Sequence, residues 1–228
     1  MRAHSIHPDR RGFTLLEVML AVAILAMVAA ATTMTFTVVI GGWRRGAAMA
    51  DRLSRGDFVM DQLVLGLRSA YYPDGRRADA LYGFQHESRQ RGGLPSDVIS
   101  WVKLGGALIG ADRAYAGSPH RVRFAVRETS EGDPAASVTA WQVFGQMDDF
   151  DPDLLPPIDL SNRILGFKCR AAYERIDDEI DWLDEWPHTN RLPMAVELTL
   201  YLEPPDPNDP PLEIKRALGI PVAPLSWR

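Results

Sequence analysis

The sequence has little cysteine. Cys169 stands alone in 228 residues, so no intramolecular disulfide can form. That leaves the compartment open, because an oxidising environment permits disulfides without requiring them. It has no basic excess. The formal charge is −5 and the pI about 5.5, which argues against a nucleic-acid binder with its usual basic face. No G-x-x-x-x-G-K-[ST] run is present, so no P-loop is expected. His4, His7, His86, His120 and His188 are scattered, without H-E-x-x-H or a comparable pair, so no zinc site is expected. No G-x-S-x-G elbow frames a serine nucleophile, and an enzyme reading has no positive support. No internal repeat is found. With 46% hydrophobic and 24% charged residues, the chain is neither collagen-like, nor disulfide-rich, nor globally disordered.

Two further absences are informative. There is no proline between Pro8 and Pro73, and no charge from Val18 to Ile40. From Phe13 to Ile40 the single formal charge is Glu17. As a helix at 1.5 Å per residue these residues reach roughly 42 Å, against the ~30 Å of a bilayer core. The run is therefore long enough to span a membrane. A buried core helix is the competing reading, but such helices are rarely so long.

Met1–Gly12 precedes the run and carries Arg2, Arg10 and Arg11 against Asp9. It could be a secretory signal peptide cut near Ala29-Ala30-Ala31, a plain signal anchor, or a pilin-type leader. Glu17 separates them. A carboxylate in the apolar stretch costs free energy, less near the helix end than at the bilayer centre, and neither a signal peptide nor an anchor gains from it.

Arg10-Arg11-Gly12-Phe13-Thr14-Leu15-Leu16-Glu17-Val18-Met19 resembles the class III leader of type IV pilins and type II secretion pseudopilins. That pattern has glycine before the cut, phenylalanine after it, and glutamate at the fifth mature position; Gly12, Phe13 and Glu17 fill the three places. The resemblance implies cleavage by a prepilin peptidase between Gly12 and Phe13, where glycine lets the backbone approach the peptidase closely. It implies N-methylation of the new Phe13 amine, and pairing of Glu17 with the Phe13 ammonium of a neighbouring subunit. Such an amine is cationic at neutral pH. A buried pair of this kind is a register device more than a source of stability. Residues 1–12 carry three Arg and one Asp, so cleavage takes 25 basic and 30 acidic residues to 22 and 29, formally −7. Arg44 and Arg45 follow the apolar run, so charge asymmetry is a poor guide to orientation. The resemblance places the N-terminus inside.

Beyond Ile40 the pattern turns amphipathic. Met49, Leu53, Gly56, Met60, Leu63 or Val64, Leu67 and Tyr71 recur at helical spacing, opposite Arg44, Arg45, Asp51, Arg52, Arg55, Asp57, Asp61 and Arg68. One helix is expected from about Thr14 to about Tyr71, with a bend or local melting at Gly41-Gly42. Tyr72-Pro73-Asp74-Gly75 ends it, and 76–95 reads as loop with at most a short strand. Alternating segments follow at 98–104, 121–127, 137–147, 165–173, 195–203 and 213–222. Arg121, Arg123 and Arg127 share one face of their strand, opposite Val122, Phe124 and Val126. Leu165, Phe167, Cys169, Ala171 and Tyr173 share a face, as do Val196, Leu198, Leu200 and Leu202. Cys169 reads as a small core residue. Pro204-Pro205 should stop the strand before them. The fold class is α+β. In the pilin-like form the resemblance implies, a long N-terminal hydrophobic helix packs by its C-terminal half on an antiparallel β-sheet domain. Three segments result: a leader (1–12), a transmembrane or filament-core helix (13–42), and a periplasmic α+β pseudopilin domain (43–228).

Within the family, the length, Glu17, and the Asp181–Pro187, Leu192-Pro193 and 195–202 pattern resemble the J-type minor pseudopilins of type II secretion. This resemblance implies an inner-membrane, single-pass subunit with its C-terminal domain in the periplasm. It implies I-type and K-type tip partners, with H-type and major G-type subunits as further neighbours, in a pseudopilus that exports folded proteins across the outer membrane. A minor pilin of a type IV pilus is the alternative; a membrane-anchored periplasmic binding or enzymatic domain is an alternative of another class. No cofactor or nucleic-acid partner is expected. The acidic run Glu174–Glu185 and the stretch Asp148–Asp153 lack calcium-loop spacing and read as solvated loops. Trp182 and Trp186 are either core or partner contacts.

Overall fold

Thr14 opens the main helix. Its carbonyl accepts the N–H groups of Glu17 and Val18 at 3.0 and 3.2 Å, and its hydroxyl accepts Glu17 N–H at 3.3 Å. A threonine in this position satisfies donors that a helix start otherwise leaves orphaned. Helix α1 then runs over Leu15–Arg68. The structure is a computed structural model that describes residues 14–75, 79–146, 149–173, 175–176 and 179–227, with backbone alone at 175, 176 and 179. The chain divides into two compact units between Ala47 and Ala48.

From Val18 to Ile40 the helix carries no charge, and its most apolar 18-residue window has a mean hydropathy of 2.4 with none of it buried. Its threonines do not spoil this. Thr32, Thr33, Thr35 and Thr37 donate their hydroxyls to the carbonyls of Val28, Ala29, Ala31 and Met34 at 2.7–2.9 Å. Each hydroxyl is thereby satisfied within the helix, as an apolar surrounding requires. The local melting expected at Gly41-Gly42 does not occur: both residues are helical. Two glycines cost only ~1 kcal/mol each, and the Arg45 Nε donates to the Gly41 carbonyl at 3.3 Å.

In the second unit the amphipathic half of α1 buries Gly56, Val59, Met60, Leu63, Gly66 and Leu67. This is the stripe the sequence spacing outlines. The helix ends at Arg68. Tyr71 N–H then donates to Val102 O and Leu104 N–H to Ser69 O, which ties the helix end to a sheet. The 76–95 stretch, read as mostly loop, contains β1 (Gln85–Glu87), β2 (Gln90–Arg91) and β3 (Leu94–Pro95). The longer strands are β4 (Val98–Lys103), β5 (His120–Glu128), β6 (Pro134–Gln142), β7 (Ile158–Ser161) and β8 (Ile164–Ala172). A small hairpin of β9 (Arg175–Ile176) and β10 (Glu179–Ile180) precedes β11 (Ala195–Leu202) and β12 (Leu212–Gly219). All strand pairs are antiparallel.

The strands sort into two principal sheets rather than one. The first has five strands in the order β1-β4-β5-β6-β7, the second three in the order β12-β11-β8. The 213–222 segment therefore closes the smaller sheet, not a single large one. Phe124 of β5 meets Phe167 of β8 edge to face, ring centroids 4.8 Å apart, and joins the two inner faces. The Trp101 indole of β4 donates to the Gly66 carbonyl of α1 at 3.0 Å. A Cβ on Gly66 would stand 2.8 Å from the Leu108 side chain and 3.1 Å from the Trp101 ring, so glycine is what admits this approach.

Three local readings are corrected. β6 spans Pro134–Gln142 rather than 137–147. Pro134, as its first residue, lacks only a donor that a strand end can spare. On β8, Tyr201 and Leu202 pair with Gly166 and Ile164. Leu165 is the extra residue of a bulge, which flips the alternation, so Ile164 rather than Leu165 is fully buried. Tyr173 lies beyond the strand and is exposed. Phe167, Cys169 and Ala171 are buried as read, as are Val196, Leu198, Leu200 and Leu202, and β11 ends before Pro204.

Candidate functional site

Of the three residues singled out by the leader pattern, Gly12 and Phe13 lie outside the described residues. Glu17 is described, three positions after Thr14. Thr14-x-x-Glu17 is the spacing of a helix capping box, and the Thr14 half of that box is formed. Glu17 is exposed and stands in the first turn. With Val18, Ala21, Val22 and Leu25 it lines a shallow groove of about 340 Å³ along the helix. Apart from the Glu17 carboxylate, every side chain there is apolar. The arrangement offers a facing helix an apolar seam with one anionic anchor at its N-terminal end. The capping spacing was present in the sequence but was masked by the leader pattern that shares it.

Elsewhere the chemistry-bearing residues serve as struts. His86 Nε2 lies 3.2 Å from Asp97 Oδ2, both side chains buried. The Asp97 carboxylate also accepts Cys169 N–H at 2.8 Å, Arg89 N–H at 3.2 Å and the Ser88 hydroxyl at 3.3 Å. Burial pushes the Cys169 thiol well above its ordinary value, so it is inert where it sits. Arg121, which shares its strand face with the half-buried Arg123 and Arg127, is buried. Its guanidinium donates to the Ser100 hydroxyl and to the carbonyls of Ala80, Leu81 and Gly83 at 3.0–3.2 Å, and burial lowers its pKa to about 10.

Lys103 is buried at the end of β4. Its Nζ donates to Gly105 O at 2.6 Å and stands 3.5 Å from His120 Nε2. His120 Nδ1 lies 2.8 Å from Ser118 O. A carbonyl only accepts, so Nδ1 carries the proton and Nε2 presents a lone pair to the ammonium. Burial lowers Lys103 to about 8. Burial, then the Lys103 charge, lowers His120, against the pull of the Ser118 carbonyl.

In the acidic run, Asp184 pairs with Lys168 at 2.9 Å and Arg170 at 3.5 Å, and the Lys168 hydrogen bond holds its carboxyl below the usual range. Glu174, Asp177 and Asp178 lie outside the described residues, as does Asp148. Among the described residues no three His, Cys, Asp or Glu side chains gather to hold a metal ion. Trp186 resolves to core: it is buried and donates to His188 O at 2.8 Å. Trp182 is half-buried.

Residues 8–33 match the family model described as the prokaryotic N-terminal methylation motif. No curated protein matches the chain. The matched segment contains Gly12, Phe13 and Glu17 and runs into the helix that is long and apolar enough to cross a membrane. A methylation motif that opens on a membrane-length apolar helix, with a carboxylate in its first turn, gives the chain an N-terminal segment similar to that of type IV pilin-like proteins.

Proposed function

We propose that the chain is a J-type minor pseudopilin of a type II secretion system. It is cut between Gly12 and Phe13 by a prepilin peptidase and methylated at Phe13. It is held in the inner membrane by one span, with residues 43–228 in the periplasm. Its role is architectural rather than catalytic: it stands at the pseudopilus tip beside I-type and K-type subunits, with H-type and major G-type subunits below. The observation that carries the reading is Glu17, a carboxylate on an otherwise apolar seam. In lipid such a group demands a partner, and the freshly cut Phe13 amine of an adjacent subunit supplies one. The segment from Asp181 to Leu202 favours the J-type assignment over other subunits. The motif itself is common to minor pilins of type IV pili.

Mass analysis of the mature N-terminus tests the processing. A start at N-methylated Phe13 is expected; an intact Met1, or a start near Thr32, overturns it. Co-expression of the full chain with I-type and K-type pseudopilins tests the assignment. Stable co-purification is expected from the tip subunit, and its absence, with twitching or competence genes beside the coding sequence, turns the reading to a type IV pilus.

A further inference from the structure

Strand β5 alternates Phe124 and Val126 inward with Arg123, Ala125 and Arg127 outward. On that outer side lies a recess of about 480 Å³. Its floor is small: Ser96, Val98 and Ala125. Its rim holds three guanidiniums, Arg89, Arg123 and Arg127, against two carboxylates, Glu87 and Asp153. Both carboxylates are already engaged. Arg89 Nη2 donates to the two Glu87 oxygens at 2.7 Å. Arg123 Nη2 holds the Asp153 carboxylate and also reaches Pro152 O at 3.3 Å. The nearby Glu128 is taken by Arg91.

The positive side is not used up. Among the described residues, Arg127 has no hydrogen-bonded or ion-paired partner for its guanidinium. The Arg123 Nε is buried and unpartnered. Burial first, then the charges of Arg123 and Arg89, lower the pKa of Arg127, with Asp153 in partial opposition. A chain of formal charge −5 thus keeps a concave site with surplus donors in a fork geometry suited to carboxylates.

We propose that this recess binds a short acidic peptide segment of a partner polypeptide, with the Arg127 guanidinium taking its carboxylate. The protein's own turn shows the mode: at Arg123, a backbone carbonyl (Pro152) and the next residue's carboxylate (Asp153) share one guanidinium. Arg127 presents the same group four residues along the strand and lacks such an occupant. The floor of Ser96, Val98 and Ala125 accepts the small side chains and backbone of an extended peptide. The inference stands apart from the secretion assignment.

The test uses the full chain in neutral detergent micelles and a fluorescein-labelled hexapeptide of alternating Asp and Ala, read by anisotropy. The Asn-for-Asp peptide and inorganic phosphate at matched ionic strength are the other arms. Saturable binding is expected to weaken about tenfold in Arg127→Gln, to fade between about 50 and about 500 mM salt, and to vanish for the Asn peptide. Among the described residues the Arg127 guanidinium holds no hydrogen bond or ion pair, so the fold should survive its replacement. Should Arg127→Gln nonetheless misfold, Arg127→Lys, which keeps the charge but loses the two-donor fork, takes its place, with weaker peptide binding expected. Equal peptide affinity in a folded variant and the parent overturns the proposal. So does an Arg127-dependent site that takes phosphate and not the peptide.

Discussion

Asp97 receives the backbone N–H of Cys169 at 2.8 Å, while its own N–H donates to the carbonyl of Phe167 at 2.9 Å. One residue outside any strand thereby fastens β8 of the three-stranded sheet to the loop that enters β4 of the five-stranded one. His86 of β1 joins from the other side.

Asp97→Ala strips a buried carboxylate that serves two backbone N–H groups, a hydroxyl and an imidazole. Leaving several buried donors stranded at once costs about 3 kcal/mol. Urea unfolding of the full chain in detergent should register that loss. A change under about 1 kcal/mol would mean that water or a rearranged loop replaces the carboxylate.

Gly83→Ala should be comparably severe for a steric reason. The added Cβ would fall 2.0 Å from Thr189 O and 2.7 Å from Asn190 Cα, both backbone atoms. A main-chain obstacle cannot rotate away, so about 3 kcal/mol or more is expected. Gly46→Ala meets nothing within 4 Å in its helix and should gain helix propensity instead. Thermal unfolding of the two variants side by side checks the contrast.

Lys103 gives the stability a pH signature. Its folded pKa of about 8 lies below its ordinary 10.5. Between those values the unfolded chain binds the proton and the folded chain does not, so stability rises with pH across that window. A shift of this size corresponds to about 3 kcal/mol. The cost of the buried ammonium is fully present below pH 8, where Lys103→Met should stabilise the protein. The wild-type rise between pH 8 and 10.5 should flatten in the variant, as denaturant titrations at each pH will read.

Glu17→Ala should separate insertion from assembly. The variant removes the one charge between Phe13 and Ile40, so membrane fractionation should be unchanged or better. Under the proposed Glu17–Phe13 pairing, co-purification with the I-type and K-type pseudopilins proposed as partners should fall at least about tenfold, because the subunit stagger would lose its ionic anchor. Wild-type incorporation would remove the pairing from the proposed mechanism.

The helix and the β11 face were legible because each repeats a strong period over many residues. Val196, Leu198, Leu200 and Leu202 sit in a regular strand, and nothing disturbs their phase. On β8 one inserted residue, Leu165, reversed the reading upstream of it, since a bulge leaves no mark in an alternating apolar run. Division into two sheets was not legible either. Strand partners are chosen by long-range contacts such as Phe124 with Phe167, not by local pattern. The arginines of β5 were visible as a face, but their separate fates were not. Arg121 is consumed by the carbonyls of residues 80–83, whereas Arg127 is left over, and only the course of a distant loop decides which. Asp97 carried no signal at all, because its partners come from β1, from residues 88 and 89, and from β8.

Ser226 accepts the N–H of Leu192, and the Trp227 indole donates to the Leu192 carbonyl at 2.8 Å. Residues 223–227 are thus part of the core beside β11. During synthesis the methylation motif and the apolar helix leave the ribosome some 180 residues ahead of this clasp. The apolar helix is therefore already made while the core beside β11 is still open, waiting for the residues that clasp it.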